Sequence, residues 1–127
     1  MSYQTPLAKA RGLGSAKKGT SHWWMQRVTA IALIPLSFWL ILFVKQLFHG
    51  SYADITHWLS SPFNLVILLS WAFVGFYHGA LGLQVVIEDY ISHEGLKISL
   101  VWLIKLAFFT GAMSSLVFAL HIVISVG

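Results

Sequence analysis

The sequence predicts an all-α membrane protein with three transmembrane helices and a cytoplasmic N-terminus. Three observations carry this. The chain has 127 residues, of which 57% are hydrophobic and only 9% charged. A soluble domain carries about 25% charged residues, so there is too little charge here to cover a water-facing surface. Mean hydropathy is +0.77, which also excludes a disordered chain, since disorder requires low hydrophobicity. The apolar residues fall into three long runs separated by polar connections, and about 20 apolar residues are needed to cross a bilayer. The length holds three such spans and leaves no room for a separate soluble domain.

Residues 1–21 read as a flexible cytoplasmic arm, polar and containing glycine and serine, with Lys9, Arg11, Lys17 and Lys18 and no acid. It lacks the short apolar core and small-residue cleavage site of a secretory signal, and it is not the Arg-rich amphipathic pattern of a mitochondrial transit peptide. Residues 22–127 form a single three-helix membrane domain. The first span is expected at about residues 24–48, where Val28 to Val44 is free of charge. Pro35 inside it predicts a kink without a break, because neighbouring groups satisfy the freed carbonyl. His49 to Ser61 reads as a loop with the interface residues Tyr52, His57 and Trp58. Pro62 suits the first turn of the next helix, where its missing N–H is no loss. The second span is expected at about 63–88, a polar turn at 89–97, and the third span at about 98–126.

Charge placement orients the chain. Basic residues precede the first span, Arg27 stands near its start, and Lys97 lies in the turn between spans two and three. The opposite connection, 49–62, has no Lys or Arg, so the positive-inside rule puts the N-terminus in the cytoplasm and the C-terminus outside. The same placement explains the net charge of +4 as membrane orientation and argues against a nucleic-acid partner. Lys45 ends the first span on the outer side. Lys105 lies about 10 Å into the third span, to snorkel inward or face a partner. With no cysteine, the chain holds no disulfide, iron–sulfur cluster or cysteine–zinc site of its own.

One residue inside a span carries chemistry. His78 is a titratable ring within the second span, and such residues mark functional sites by default. Gly75, Gly79 and Gly82 lie at i−3, i+1 and i+4 from it, on one bare helical stripe. Two readings stay open. A flat group such as haem lies on the stripe with His78 as axial ligand, or the glycines are a close helix-packing seam with His78 as a hydrogen-bonding core residue. His78 lies roughly 15 Å from the cytoplasmic end of its span, and His121 is roughly 35 Å into the third span from the same side. His49 and His57 are on the outer side, and His22 and His93 at the cytoplasmic interface. A second axial ligand would therefore come from another subunit.

Asp89 follows His78 by eleven residues, which leaves it about 20° off the same helix face. Tyr90 beside it offers a phenol able to hydrogen-bond a quinone carbonyl and supply protons, or else serves as an interface aromatic next to a solvated acid. Arg27 lies at the same interface, either as a partner for a haem propionate or a quinone pocket, or as a positive-inside anchor. Gln84, Trp71, Phe73, Phe76, Phe38 and Trp39 read as packing or lipid-facing residues. Glu88 reads as solvated.

The segment from His78 through Asp89 and Tyr90 resembles the second-helix motif of the small hydrophobic membrane-anchor (D) subunit of succinate dehydrogenase. The segment from His22 through Arg27 to Ala30 is similar to the start of the first helix in the same family. The resemblance extends over nearly everything after about Gly14. It implies a non-catalytic subunit of a succinate:quinone oxidoreductase that packs with a second three-helix anchor, the C subunit, around a shared haem b. It further implies attachment of a flavoprotein and an iron–sulfur subunit to the bacterial cytoplasmic (inner) membrane, a mitochondrial inner membrane being the less favoured setting. By the same resemblance His78 is a ligand to the haem iron, Gly75, Gly79 and Gly82 are the haem-packing face, and Arg27 lies near the propionates or the quinone pocket. Tyr90 becomes a ubiquinone hydrogen-bond donor supported by Asp89. A haem-free structural or transport subunit is the alternative. A fumarate-reductase-type anchor with two haems would need further histidines at matching depth, which the chain does not have.

Overall fold

The computed structural model describes residues 5–11 and 18–126. The expected arm therefore lies partly outside the described residues, Lys17 included. Within it, Pro6–Arg11 form a short helix, α1. The first spanning helix, α2, covers Lys18–His49 and starts six residues before the expected Trp24. A helix of 32 residues is about 48 Å long and outruns a hydrocarbon layer of about 30 Å, so its polar N-terminal turns need not be in lipid. It passes through Pro35 unbroken.

The connection expected to be a loop contains a further helix, α3, Tyr52–Ser60. Its start is closed by a capping box. The Asp54 N–H donates to Ser51 Oγ at 3.2 Å, and the Ser51 N–H donates to Asp54 Oδ2 at 2.8 Å. The Ser51 hydroxyl also donates to that carboxylate, at 2.7 Å. The two bonds that Ser51 donates, from its hydroxyl and its N–H, hold the Asp54 carboxyl below its ordinary value. Thr56 and Leu59 are buried, so α3 is a packed element and not a free connection.

The second spanning helix, α4, covers Pro62–Tyr90, with Pro62 in its first turn as expected. The third, α5, covers Glu94–Val126. The expected nine-residue turn shrinks to residues 91–93, because α4 runs two residues further than expected and α5 begins four earlier. The α5 start is held by the Leu96 N–H donating to His93 Nδ1 at 3.3 Å and by a Lys97–Glu94 ion pair at 3.2 Å.

The three long helices make an open row. α4 packs on both α2 and α5, while the backbones of α2 and α5 do not approach each other closely. The α2–α4 seam is antiparallel and hydrogen-bonded. Trp71 Nε1 donates to Ser37 Oγ at 3.0 Å, and Trp39 Nε1 donates to Asn64 Oδ1 at 3.1 Å. Asn64 Nδ2 in turn donates to the Trp58 carbonyl at 3.1 Å, which ties α3 to the same corner. The α4–α5 seam is a reciprocal insertion of rings at glycines. Phe108 of α5 packs against Gly79 of α4, and Phe76 of α4 packs against Gly111 of α5. The two rings meet edge to face with centroids 5.8 Å apart.

Few side chains are buried, and large apolar ones such as Ile34, Phe38, Phe118 and Ile124 are exposed. Three helices, within Thr20–His49, Pro62–Tyr90 and Glu94–Ser125, are long and apolar enough to cross a membrane. The exposed apolar surface is what a lipid-facing chain presents.

Candidate functional site

A cleft of about 490 Å³ opens between the N-terminal half of α2 and the C-terminal half of α4, with His22, Gln26, Arg27, His78 and Glu88 among its walls. Helical spacing assembles the α2 wall, since His22 and Gln26 stand at i and i+4 on one face, with Thr29 following at i+7 on that face. His78 faces this wall across the seam. Its Nδ1 lies 2.9 Å from Thr29 Oγ1. Thr29 is buried, at 6% exposure, and its hydroxyl also lies 2.7 Å from the Met25 carbonyl and 3.2 Å from the Gln26 carbonyl.

Among the described residues, the buried side-chain polar atoms without a hydrogen-bond partner are His22 Nε2 and Gln26 Oε1. Both residues line the cleft. Buried polar atoms are almost always satisfied, so these two can pair with a polar group that enters the cleft. Arg27 stands at the rim, exposed, with its guanidinium over the Trp23 indole at 5.0 Å from the ring centroid.

The three glycines do not share one role. A Cβ at Gly82 would sit 3.5 Å from Gln26 Nε2 and one at Gly75 would sit 3.9 Å from Leu33 Cδ2, so both face α2, as His78 does. A Cβ at Gly79 would meet Phe108 Cε1 at 3.1 Å. Gly79 is therefore taken up by the α4–α5 seam and is not part of a bare face beside His78. The reason is angular, since one residue along a helix is a turn of about 100°.

Asp89 and Tyr90 close α4 outside the cleft, whose α4 wall ends at Glu88, and Tyr90 is 83% exposed. Gln84, expected to pack or face lipid, donates to Glu88 Oε1 at 2.7 Å. Trp71 and Trp39 are more than packing residues, because each donates a hydrogen bond across the α2–α4 seam. His49, His57, His93 and His121 are exposed, and no group of three His, Cys, Asp or Glu side chains able to hold a metal occurs among the described residues. His22 is the histidine that joins His78 in one cleft. Lys105 lies on the wall of a second cleft, between α4 and α5, with its ammonium 5.8 Å from the centroid of the Trp102 ring.

Residues 1–123 match the family model described as "Succinate dehydrogenase/Fumarate reductase transmembrane subunit". The chain belongs to this family. Among relatives of this anchor chain, the "Succinate dehydrogenase hydrophobic membrane anchor subunit" of Rickettsia conorii is 42% identical over 105 residues, 82% of this chain and 83% of that one. The protein of the same description in Paracoccus denitrificans is 31% identical over 102 residues, covering 80% and 79%. The "Succinate dehydrogenase membrane anchor subunit" of Reclinomonas americana is 33% identical over 93 residues, covering 70% and 77%. No solved structure matches the anchor chain.

Proposed function

We propose that this chain is the membrane-anchor subunit of a bacterial succinate:quinone oxidoreductase. In that role it helps hold a haem b, contributes to ubiquinone binding, and attaches the flavoprotein and iron–sulfur subunits to the cytoplasmic membrane. The observation that carries this reading is His78, fixed on the α2–α4 seam beside a cleft whose two orphaned polar atoms belong to His22 and Gln26. The side chains present fit a haem. An imidazole suits iron, and Arg27 offers a charged, bidentate donor at the rim where a propionate carboxylate can pair. His22 Nε2 is a further group for the same edge. A further ligand to the iron would come from a second anchor subunit.

When bound, the haem supplies a one-electron carrier within the membrane. The chain itself orients and protonates. His78 would hold the iron, with Thr29 of α2 within hydrogen-bond reach of its Nδ1. Tyr90, exposed at the end of α4, donates its phenol O–H to a quinone carbonyl. Asp89 beside it accepts or relays protons from the aqueous side. The basic residues of the N-terminal arm, Arg27 and Lys97 favour a cytoplasmic N-terminus, which puts Tyr90 on the cytoplasmic side, where a peripheral iron–sulfur subunit would dock. Succinate oxidation would belong to the flavoprotein.

The test is His78→Ala in the purified complex. Loss or displacement of the b-type spectrum, with flavin and iron–sulfur content kept, is the expected result. An unchanged spectrum would refute the ligand assignment. One observation favours the second reading, a haem-free structural subunit, since Gly79 serves helix packing. A purified complex without a Soret band would support it.

A further inference from the structure

We infer that Thr29 is the positioning residue that fixes the tautomer and ring orientation of His78 and leaves its Nε2 bare for iron. The inference rests on the reading of His78 as a haem ligand. It follows from counting protons around one hydroxyl. Thr29 Oγ1 has a single hydrogen and three polar neighbours, namely the Met25 carbonyl at 2.7 Å, the Gln26 carbonyl at 3.2 Å and His78 Nδ1 at 2.9 Å. Carbonyl oxygens only accept, and the hydroxyl proton goes to one of them when Nδ1 carries its own proton. The Met25 distance matches the usual O–H···O separation of about 2.7–2.8 Å. The His78 distance matches the usual N–H···O separation of about 2.9–3.0 Å. The hydroxyl therefore donates back along its own helix and accepts from Nδ1–H across the seam.

A neutral imidazole has one N–H. With the proton on Nδ1, Nε2 carries the lone pair, and a metal-bound histidine is held in this way by the acceptor on its other nitrogen. Thr29 is buried, so water does not compete for the bond. The β-branch at Thr29 limits its side-chain rotamers, and the back-bond to Met25 selects among them. The acceptor is thus directed at the ring by α2 itself. Arg27 and Thr29 are two residues apart, so the same turn of α2 that orients the ring also carries the rim cation. The neutral acceptor draws the N–H less than a carboxylate would, so it orients the ligand while adding modest basicity.

The test uses the assembled complex with Thr29→Val, close in shape but without an acceptor, and Thr29→Ser, which keeps the hydroxyl. Three readouts are taken: haem per flavin, the midpoint potential of the b-type haem, and the largest g-value of its low-spin EPR signal, which follows the relative orientation of the axial imidazole planes. Thr29→Val is expected to shift the g-value, raise the potential because the ligand becomes less basic, and weaken haem retention by about 10- to 100-fold in affinity. Thr29→Ser is expected to restore all three. If Thr29→Val prevents assembly, Thr29→Ala removes the hydroxyl without bulk and is read in the same way. Wild-type g-value, potential and occupancy in the variant lacking the hydroxyl would overturn the inference, as would equal shifts in the Ser and Val variants. Retention of the haem in His78→Ala would instead sink the ligand assignment on which it rests, so the two failures are distinguishable.

Discussion

The ring-into-glycine seam between α4 and α5 makes a quantitative prediction. Placing a Cβ on Gly111 brings it to 3.0 Å from both Cε1 and Cζ of Phe76. Carbon atoms rest at about 3.5–4.0 Å, so the ring must retreat by about half an ångström. Forcing extra volume into a packed site costs about 1–3 kcal/mol. Against this, replacing a mid-helix glycine by alanine stabilises the helix by about 0.5–1 kcal/mol. Gly111→Ala should therefore destabilise by about 1 kcal/mol. In a Phe76→Leu background the added methyl meets no ring, and the same change should become neutral or stabilising. The coupling between the two positions should be about 1–2 kcal/mol, within the range for residues in contact. The assay is denaturation of the purified complex by heat and by SDS titration, for wild type, both single variants and the double variant. The b-type spectrum should be unchanged in Gly111→Ala, since His78 lies on the other seam. If Gly111→Ala raised stability by the full helix-propensity gain in both backgrounds, with no coupling, the packing argument would be refuted.

Other expectations follow from single residues. Asn64→Leu removes the acceptor of Trp39 Nε1 and the donor to the Trp58 carbonyl, and should lower stability by about 1–3 kcal/mol without altering quinone specificity; denaturation profiles beside steady-state kinetics would check both. Tyr90→Phe should raise the KM for quinone by about 2- to 10-fold, the value of one hydrogen bond, and spare succinate oxidation with an artificial acceptor. Unchanged quinone kinetics would speak against Tyr90. The α3 cap should depend on pH. Hydrogen bonds from Ser51 lower the Asp54 carboxyl, so their stabilisation is fully present above its ordinary value of 3.8 and is lost as pH falls through the lower value in the folded chain. Amide protection at Ser51 and Asp54, taken relative to the intrinsic exchange rate at each pH, should fall over that acidic range and stay constant in the neutral range.

The spans were legible because apolar runs free of charge have one physical solution in a bilayer, and Pro62 announced its helix by lacking the N–H that a first turn does not use. Helix ends were less legible. The hydropathy signal stops where lipid stops, while α2 continues outward to Lys18 and α5 begins in water at Glu94. The α3 helix carried a local signal, Ser51 and Asp54 three apart, which a reading tuned to long apolar runs passes over. His78 stood out because a titratable ring in a span is costly, but its partner Thr29 is 49 residues away, and only the register of α2 on α4 joins them. The i, i+4 placement of His22 and Gln26 on one face was present in the sequence and marks the α2 wall of the cleft. The division of the glycines between two seams was not legible, since a stripe of small residues does not say which neighbour fills it.

The two seams of α4 differ in kind, and this bears on how the chain can vary. Alignment of α2 is set by three directional bonds, at Thr29, Ser37 and Trp39, which a sliding or rotating helix would have to break together. Among the described residues α5 fits α4 by shape at the Phe108–Gly79 and Phe76–Gly111 contacts, and shape can be matched by many combinations of apolar residues. The third span is thus free to drift in composition as its lipid or protein surroundings change, while the first two hold the imidazole in register like a rack engaged at three teeth.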